Sequence, residues 1–146
     1  MSADLERRMR AARERWIDAG DARVKIRRPL DLELADIMSQ SEVARLARRL
    51  AERHEDDADV RALLREVDRS AHTAIVLRYV VDWEVTEADL LPGVGGEDRA
   101  DFSAAAWREY VLGRPSVFNE VLAGVMGWFT EHKAALGAVP GKSASS

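Results

Sequence analysis

Apolar residues recur at helical spacing along nearly every long segment of this chain, and that period most constrains what it can fold into. Leu5, Met9, Ala12 and Trp16 fall at steps of four, three and four. Val43, Leu46, Ala47 and Leu50 sit at i, i+3, i+4 and i+7. Val60, Leu63, Leu64, Val67, Ala71, Ala74 and Ile75 carry the spacing onward. Val117, Val121, Val125 and Trp128 trace one face of a last segment, with Phe118, Leu122 and Phe129 beside them. A stripe with this period gives a helix one side to bury. The expected fold class is therefore mainly α: a single helical domain of about five or six helices, with at most one short β-strand pair near the N-terminus.

Punctuation along the chain sets the expected boundaries. Ala19-Gly20 close the first helix, with Gly20 at its C′ position. Val24 and Ile26 alternate with Arg23, Lys25 and Arg27, which predicts a short half-exposed strand stopped by Pro29. One strand makes no sheet, so it must pair with another segment, pair with a partner chain, or lie on the helices. Asp31 is placed to cap a helix bearing Leu34, Ile37 and Met38, and Ser39 or Ser41 to recap the next. "HEDDAD" at 54–59 is a polar junction whose acids suit a helix N-terminus. "AIVLRYVV" at 74–81 is ambiguous, since its β-branched density also suits a buried strand; the period established upstream favours a helix running to Trp83. A polar loop follows from Thr86 to Asp101. Ser103 is then an N-cap between Phe102 at N′ and Trp107 at N4, the arrangement of a hydrophobic staple. That helix ends near Gly113, and Pro115 opens the last one. Residues 1–136 form the expected helical domain and residues 137–146 a disordered tail.

The chain has 146 residues, enough for one ordinary domain with its own core, and 47% hydrophobic against 33% charged residues marks it as globular. With no cysteine, disulfides, thiolate metal sites and cysteine nucleophiles are excluded. "MSADLERRMRAARERW" lacks an apolar leader core, and no run approaches the ~20 residues that span a bilayer, so a soluble, unexported chain is expected. Residues 1–54 hold 13 Lys/Arg against 10 Asp/Glu (+3) and residues 55–146 hold 9 against 16 (−7), which sum to the net −4. The basic half interleaves its arginines with acids, the pattern of a solvated face, which disfavours a nucleic-acid partner.

No motif announces chemistry. His54, His72 and His132 have neither metal-ligand nor triad spacing. "GVGG" at 93–96 lacks a dinucleotide fingerprint's third glycine, and "GAVPGKS" at 137–143 is one residue short of a phosphate loop. The carboxylates of "HEDDAD" read as helix-start acids before they read as a magnesium site. The expectation is no catalytic, cofactor-binding or metal-ligating residue, and no enzyme. Trp16, Trp83, Trp107 and Trp128 read first as core residues at helical apolar positions. The alternative is an aromatic partner-binding groove, carried by Trp83, Trp128, Phe118 and Leu122.

A short strand ending Arg27-Arg28-Pro29, then "LDLEL" at 30–34, begins a pattern that becomes clearer further on. There "VVDWEVTEADL" at 80–90, a Gly/Pro connector and "DFSAAAWREYVLGRPSVFNEVL" at 101–122 follow one another. This pattern, over residues 22–130, resembles the tail assembly chaperones of long-tailed bacteriophages and prophages. The N-terminal helix with Trp16 departs from it, and so does the long acidic connector "PGVGGEDRADFS". The resemblance implies a protein that binds the tape measure protein, or another tail protein, and keeps it soluble during tail assembly. It implies residence in the bacterial host's cytoplasm, no cofactor and no membrane, and leaves homo-oligomerisation open. The connector would be an exposed link that tolerates length. The competing classes are a structural head or tail component and a small helical nucleic-acid-binding regulator.

Overall fold

In the computed structural model, residues 2–39, 42–53 and 57–137 are described here. They form seven helices and three strands: α1 Ala3–Ala11, β1 Glu14–Ala19, β2 Ala22–Arg27, α2 Asp31–Ser39, α3 Glu42–Arg53, α4 Ala58–Arg78, β3 Val80–Trp83, α5 Glu87–Leu90, α6 Ala104–Leu112 and α7 Pro115–Gly137. The strands make one antiparallel sheet in the order β1-β2-β3. The fold is therefore mixed α/β, which corrects the expectation of a mainly α domain with at most one strand pair.

Two local misreadings explain the correction. The first stripe does not run through Trp16 as helix; α1 stops at Ala11, and Glu14–Ala19 pairs with β2 from Glu14↔Arg27 to Ala19↔Ala22. Trp16 and Ile17 suit a pleated surface, and the two-residue turn Gly20-Asp21 brings β2 back onto them. Gly20 is no helix terminator but the first turn residue, at φ 59°, with no positive φ at Asp21, the pattern of a type II′ turn. The second misreading is "AIVLRYVV". Its first half is helix through Arg78, whereas Val80 opens β3, paired as Val24↔Trp83, Lys25↔Asp82 and Ile26↔Val80 with a bulge between Lys25 and Ile26. The amide of Arg27 donates to the Tyr79 carbonyl at 2.8 Å, which holds the crossover from helix to strand. Helical period cannot show such a partner, because the pairing strand lies some fifty residues upstream.

The chain divides into two compact units: the described residues of Met1–Pro29 and Tyr79–Ser146 form one, and those of Leu30–Arg78 the other. In the first, alternation along β2 buries Ala22, Val24 and Ile26 on one side of the sheet. Val117, Val121 and Val125 of α7 are buried as their spacing predicts, and α7 packs on β1 and β2. Gly124 permits the approach, since a Cβ there would stand 2.7 Å from the Ile17 Cδ1. Pro115 is the first helical residue, as its fixed φ and missing N–H favour. Ser103 caps α6, its hydroxyl accepting from the Ala106 amide at 3.0 Å.

In the second unit, α2, α3 and α4 pack together and bury Leu34, Ile37, Val60, Ala71, Ile75 and Val76. Asp31 is the first helical residue, not the cap; Glu33 reaches back to accept from the Leu30 amide at 3.0 Å and also binds Arg78 at 3.1 Å. Ser39 turns its hydroxyl to the Ala35 carbonyl, and Ser41 lies outside the described residues. Asp57 accepts from the amides of Asp59 and Val60 and so opens α4, while the rest of the acidic junction, 54–56, also lies outside them. The tail expected at 137–146 falls outside them too, apart from Gly137 at the end of α7.

The connector between Trp83 and Phe102 is not a loose link. Thr86 opens α5 with a reciprocal capping box to Asp89, and the amides of Glu87, Ala88 and Ala100 donate to Asp98, Gly96 and Val85. A Cβ on Gly95 would meet the Glu87 carbonyl oxygen at 2.3 Å, backbone against backbone, whereas nothing lies within 4 Å of one on Gly96. Gly95→Ala is therefore expected to cost about 1–3 kcal/mol through overpacking, with Gly96→Ala near neutral. Equal thermal melts for the two variants would show that the connector does not hold this conformation.

Candidate functional site

Four aromatic rings converge where β3, the connector and α6 meet. The ring of Trp83 stands edge-on to Phe102 at 5.5 Å, Tyr110 at 5.7 Å and Trp107 at 6.4 Å. Such edge contacts set the negative ring face against a positive ring edge. Trp107 and Tyr110, one turn apart on α6, lie 6.0 Å from each other. The indole N–H of Trp83 donates to the Ala100 carbonyl at 2.8 Å, so the one polar atom of this ring is satisfied. The staple pair Phe102 and Trp107 thus meets on a shared third ring. Trp83 and Trp107 have no exposed surface and Tyr110 is 5% exposed. Trp83 sits in the core, with no surface to offer a partner in this conformation.

Arg114 clamps the same region from outside. Its guanidinium lies 4.0 Å from the Tyr110 ring centroid and donates to the carbonyls of Tyr110 and Asp89, each at 3.1 Å. Two hollows share Tyr110 and Arg114: one of about 260 Å³ lined also by Leu90, Leu91 and Glu109, the other of about 390 Å³ lined also by Asp21, Asp89 and Ser116. Burial pushes the Tyr110 hydroxyl above its ordinary range. The Thr86 amide, then the Thr86 hydroxyl and Arg114, hold Asp89 below the usual aspartate range. Arg114 already bridges two carbonyls, which fits a structural clamp between α5 and α6.

The remaining residues expected to bind a partner lie on α7 and fall on two sides of it. Phe118 and Leu122 are half-buried one turn apart, and Met126 and Phe129 continue that stripe, also half-buried. The Lys133 ammonium stands 5.5 Å from the Phe129 ring. Trp128, half-buried, belongs to the sheet side, where Arg15 lies 4.1 Å and Arg28 5.2 Å from its ring centroid. Trp16, expected in the core, is half-buried on the other face of the sheet, with Arg23 at 5.5 Å and Lys25 at 6.0 Å from its ring. The structure therefore joins Phe118 with Leu122, separates Trp128 from them by part of a turn, and removes Trp83 to the core.

Of the arginines about Trp128, Arg28 reads from the sequence as a strand end facing solvent, with an acidic docking partner the less favoured reading, and Arg15 was missed. Arg15 was assigned to a helix face, so its cross-strand neighbours were invisible. "RRP" was the one available signal. Among the described residues, no group of three or more His, Asp or Glu side chains could hold a metal ion, and no helix is long and apolar enough to cross a membrane. No family model, no curated protein and no solved structure matches the chain.

The Asp89 cap makes a pH-dependent prediction. Its folded-state pKa is depressed, so its contribution is present above the ordinary aspartate range and is lost as pH falls through the folded value. Asp89→Asn should lower the melting temperature at neutral pH, and the gap to wild type should close as pH falls below the ordinary aspartate range and through the depressed folded value. A gap unchanged across that range would mean that the charge of Asp89 contributes nothing to the cap.

Proposed function

We propose that this protein is a tail assembly chaperone of a long-tailed phage or prophage, which binds the tape measure protein in the host cytoplasm and keeps it soluble while the tail is built. The observation that carries the reading is where the residues of the resemblance meet. Trp83, Phe102, Trp107 and Tyr110, spread over the two quoted stretches 80–90 and 101–122, close into one aromatic cluster. The spacing that resembles the family is thus the spacing of a packed unit. The family's function rests on binding, and the mixed α/β fold leaves that role in place because the surface assigned to the partner is helical.

The physical task suits the surface. A long amphipathic helix exposes apolar area that aggregates unless covered, and a groove beside a helix covers it through contacts at i, i+3, i+4 and i+7. Phe118, Leu122, Met126 and Phe129 supply such a row on α7. Binding of this kind buries apolar surface and survives high salt, whereas phosphate contacts weaken steeply as salt is added.

Co-expression with the tape measure protein encoded nearby in the same genome is expected to raise that protein's soluble fraction. The complex should persist at high salt, and Phe118→Asp with Leu122→Asp should abolish it without unfolding the chain. Capture of duplex DNA but not of tape measure protein, lost at high salt, would refute the proposal in favour of a nucleic-acid-binding regulator. Recovery of the protein in finished particles would favour a structural tail component.

A further inference from the structure

The register of the first hairpin places three arginines where the core runs out. Glu14↔Arg27 is the last strand pair, and beyond it the Arg28 amide donates to the Arg13 carbonyl at 2.7 Å. Arg13 Nε donates to the Arg28 carbonyl at 3.1 Å. Arg13 and Arg28 are therefore opposite one another, an arrangement of like charges that destabilises a sheet. Alternation puts both on the same face as Arg15, Ile17 and Val24, the face on which α7 packs. Trp128 of α7 lies at that end, its ring within 4.1 Å of the Arg15 guanidinium and 5.2 Å of the Arg28 guanidinium. Among the described residues Arg15 has one acid in reach, Glu131 at 3.7 Å. Arg28 is half-buried and has no ion pair among the described residues. Burial, then Arg13 and Arg15, hold its guanidinium below the usual range.

A half-buried guanidinium without an acid, crowded by like charges and stacked on an indole, is complementary to an arriving carboxylate. We propose that Arg15, Arg28 and Trp128 form a docking point for the carboxylate side chains of an acidic amphipathic helix, whose apolar residues lie along the Phe118–Leu122–Met126–Phe129 stripe. Trp128 and Phe129 are consecutive, so the cationic point and the apolar stripe occupy neighbouring sides of one helix. The Lys133 ammonium over Phe129 adds a cation at the stripe itself. Guanidinium and carboxylate pair through two parallel hydrogen bonds, so two arginines at one ring match one or two acids. A nucleic acid fits less well. Its phosphates call for cations spread along a backbone track, and its bases stack on an open aromatic face, whereas this indole already carries guanidinium. The inference rests on the reading above only in taking a helix as the partner; it adds the charge that helix must carry.

The test uses the full chain and fluorescently labelled synthetic helical peptides that share one apolar stripe and differ only in flanking Glu, Gln or Lys, with duplex DNA as a fourth probe. The Glu peptide is expected to bind about tenfold more tightly than the Gln peptide, and the Lys peptide more weakly still. Arg15→Gln with Arg28→Gln should close the Glu–Gln gap, whereas Arg108→Gln, at an exposed position on α6, should leave it open. Arg15→Gln alone, at a side chain 43% exposed, should narrow the gap and keeps the test valid if the double variant melts early. Equal binding of the Glu and Gln peptides would overturn the docking point while leaving an apolar helix-binding surface intact. A Glu preference unchanged in the variants, a preference for DNA, or no peptide binding would each overturn it too, and the co-expression result would still judge the chaperone reading by itself.

Discussion

The buried indole of Trp83 is the interaction on which the larger compact unit depends. It ends the shortest strand of the sheet, opposite Val24, and has no exposed surface. From one side chain it reaches the connector through Phe102 and the Ala100 carbonyl, and α6 through Trp107 and Tyr110. A four-residue edge strand holds few ladder hydrogen bonds, and two- or three-stranded sheets need a packed apolar face to persist. The aromatic cluster supplies that face for β3. It also explains why the connector is tied down at both ends. The Ala100 amide and carbonyl bind Val85 and Trp83 respectively, so the chain returns to the place it left before α6 begins.

Local signals predicted local structure well. Ser103, Pro115 and the Val117–Val121–Val125 face act within one or two helical turns, and each appears where its chemistry placed it. Long-range pairing was not legible. Trp16 and Ile17 satisfy a helical period and a strand alternation equally, and only β2 decides between them. Val80 and Val81 look like the continuation of α4 until β2 is present to pair with them. Gly20, read with Ala19 as the end of a helix, was together with Asp21 the readable sign of a hairpin. Of the residues weighed as a partner groove, Phe118 and Leu122 share one side of α7, which helix spacing alone shows. Trp83 reads first as a core residue and is buried, but the rings that pack over it, some twenty residues further on, were not legible from spacing. Arg15, Arg28 and Trp128 come from three separate stretches of sequence, and their meeting was invisible to spacing.

The two aromatic sites divide the work. Around Trp83 three rings stand edge-on to a buried indole whose own N–H is satisfied, which suits a rigid core. Around Trp128 the ring is half-buried, and two guanidinium groups lie over it at 4.1 and 5.2 Å from its centroid. A binding surface of this kind combines apolar contact, which sets affinity, with charge, which selects among apolar helices.

Native-state hydrogen exchange of the Trp83 indole N–H and the Ala100 amide tests the central claim most directly. If Trp83 locks sheet, connector and α6 into one cooperative unit, both protons exchange only with global unfolding of that unit, at the rate of the slowest amides of β2. Fast exchange of either proton through local opening, while the β2 amides stay protected, would contradict the account and make the connector a separately mobile segment.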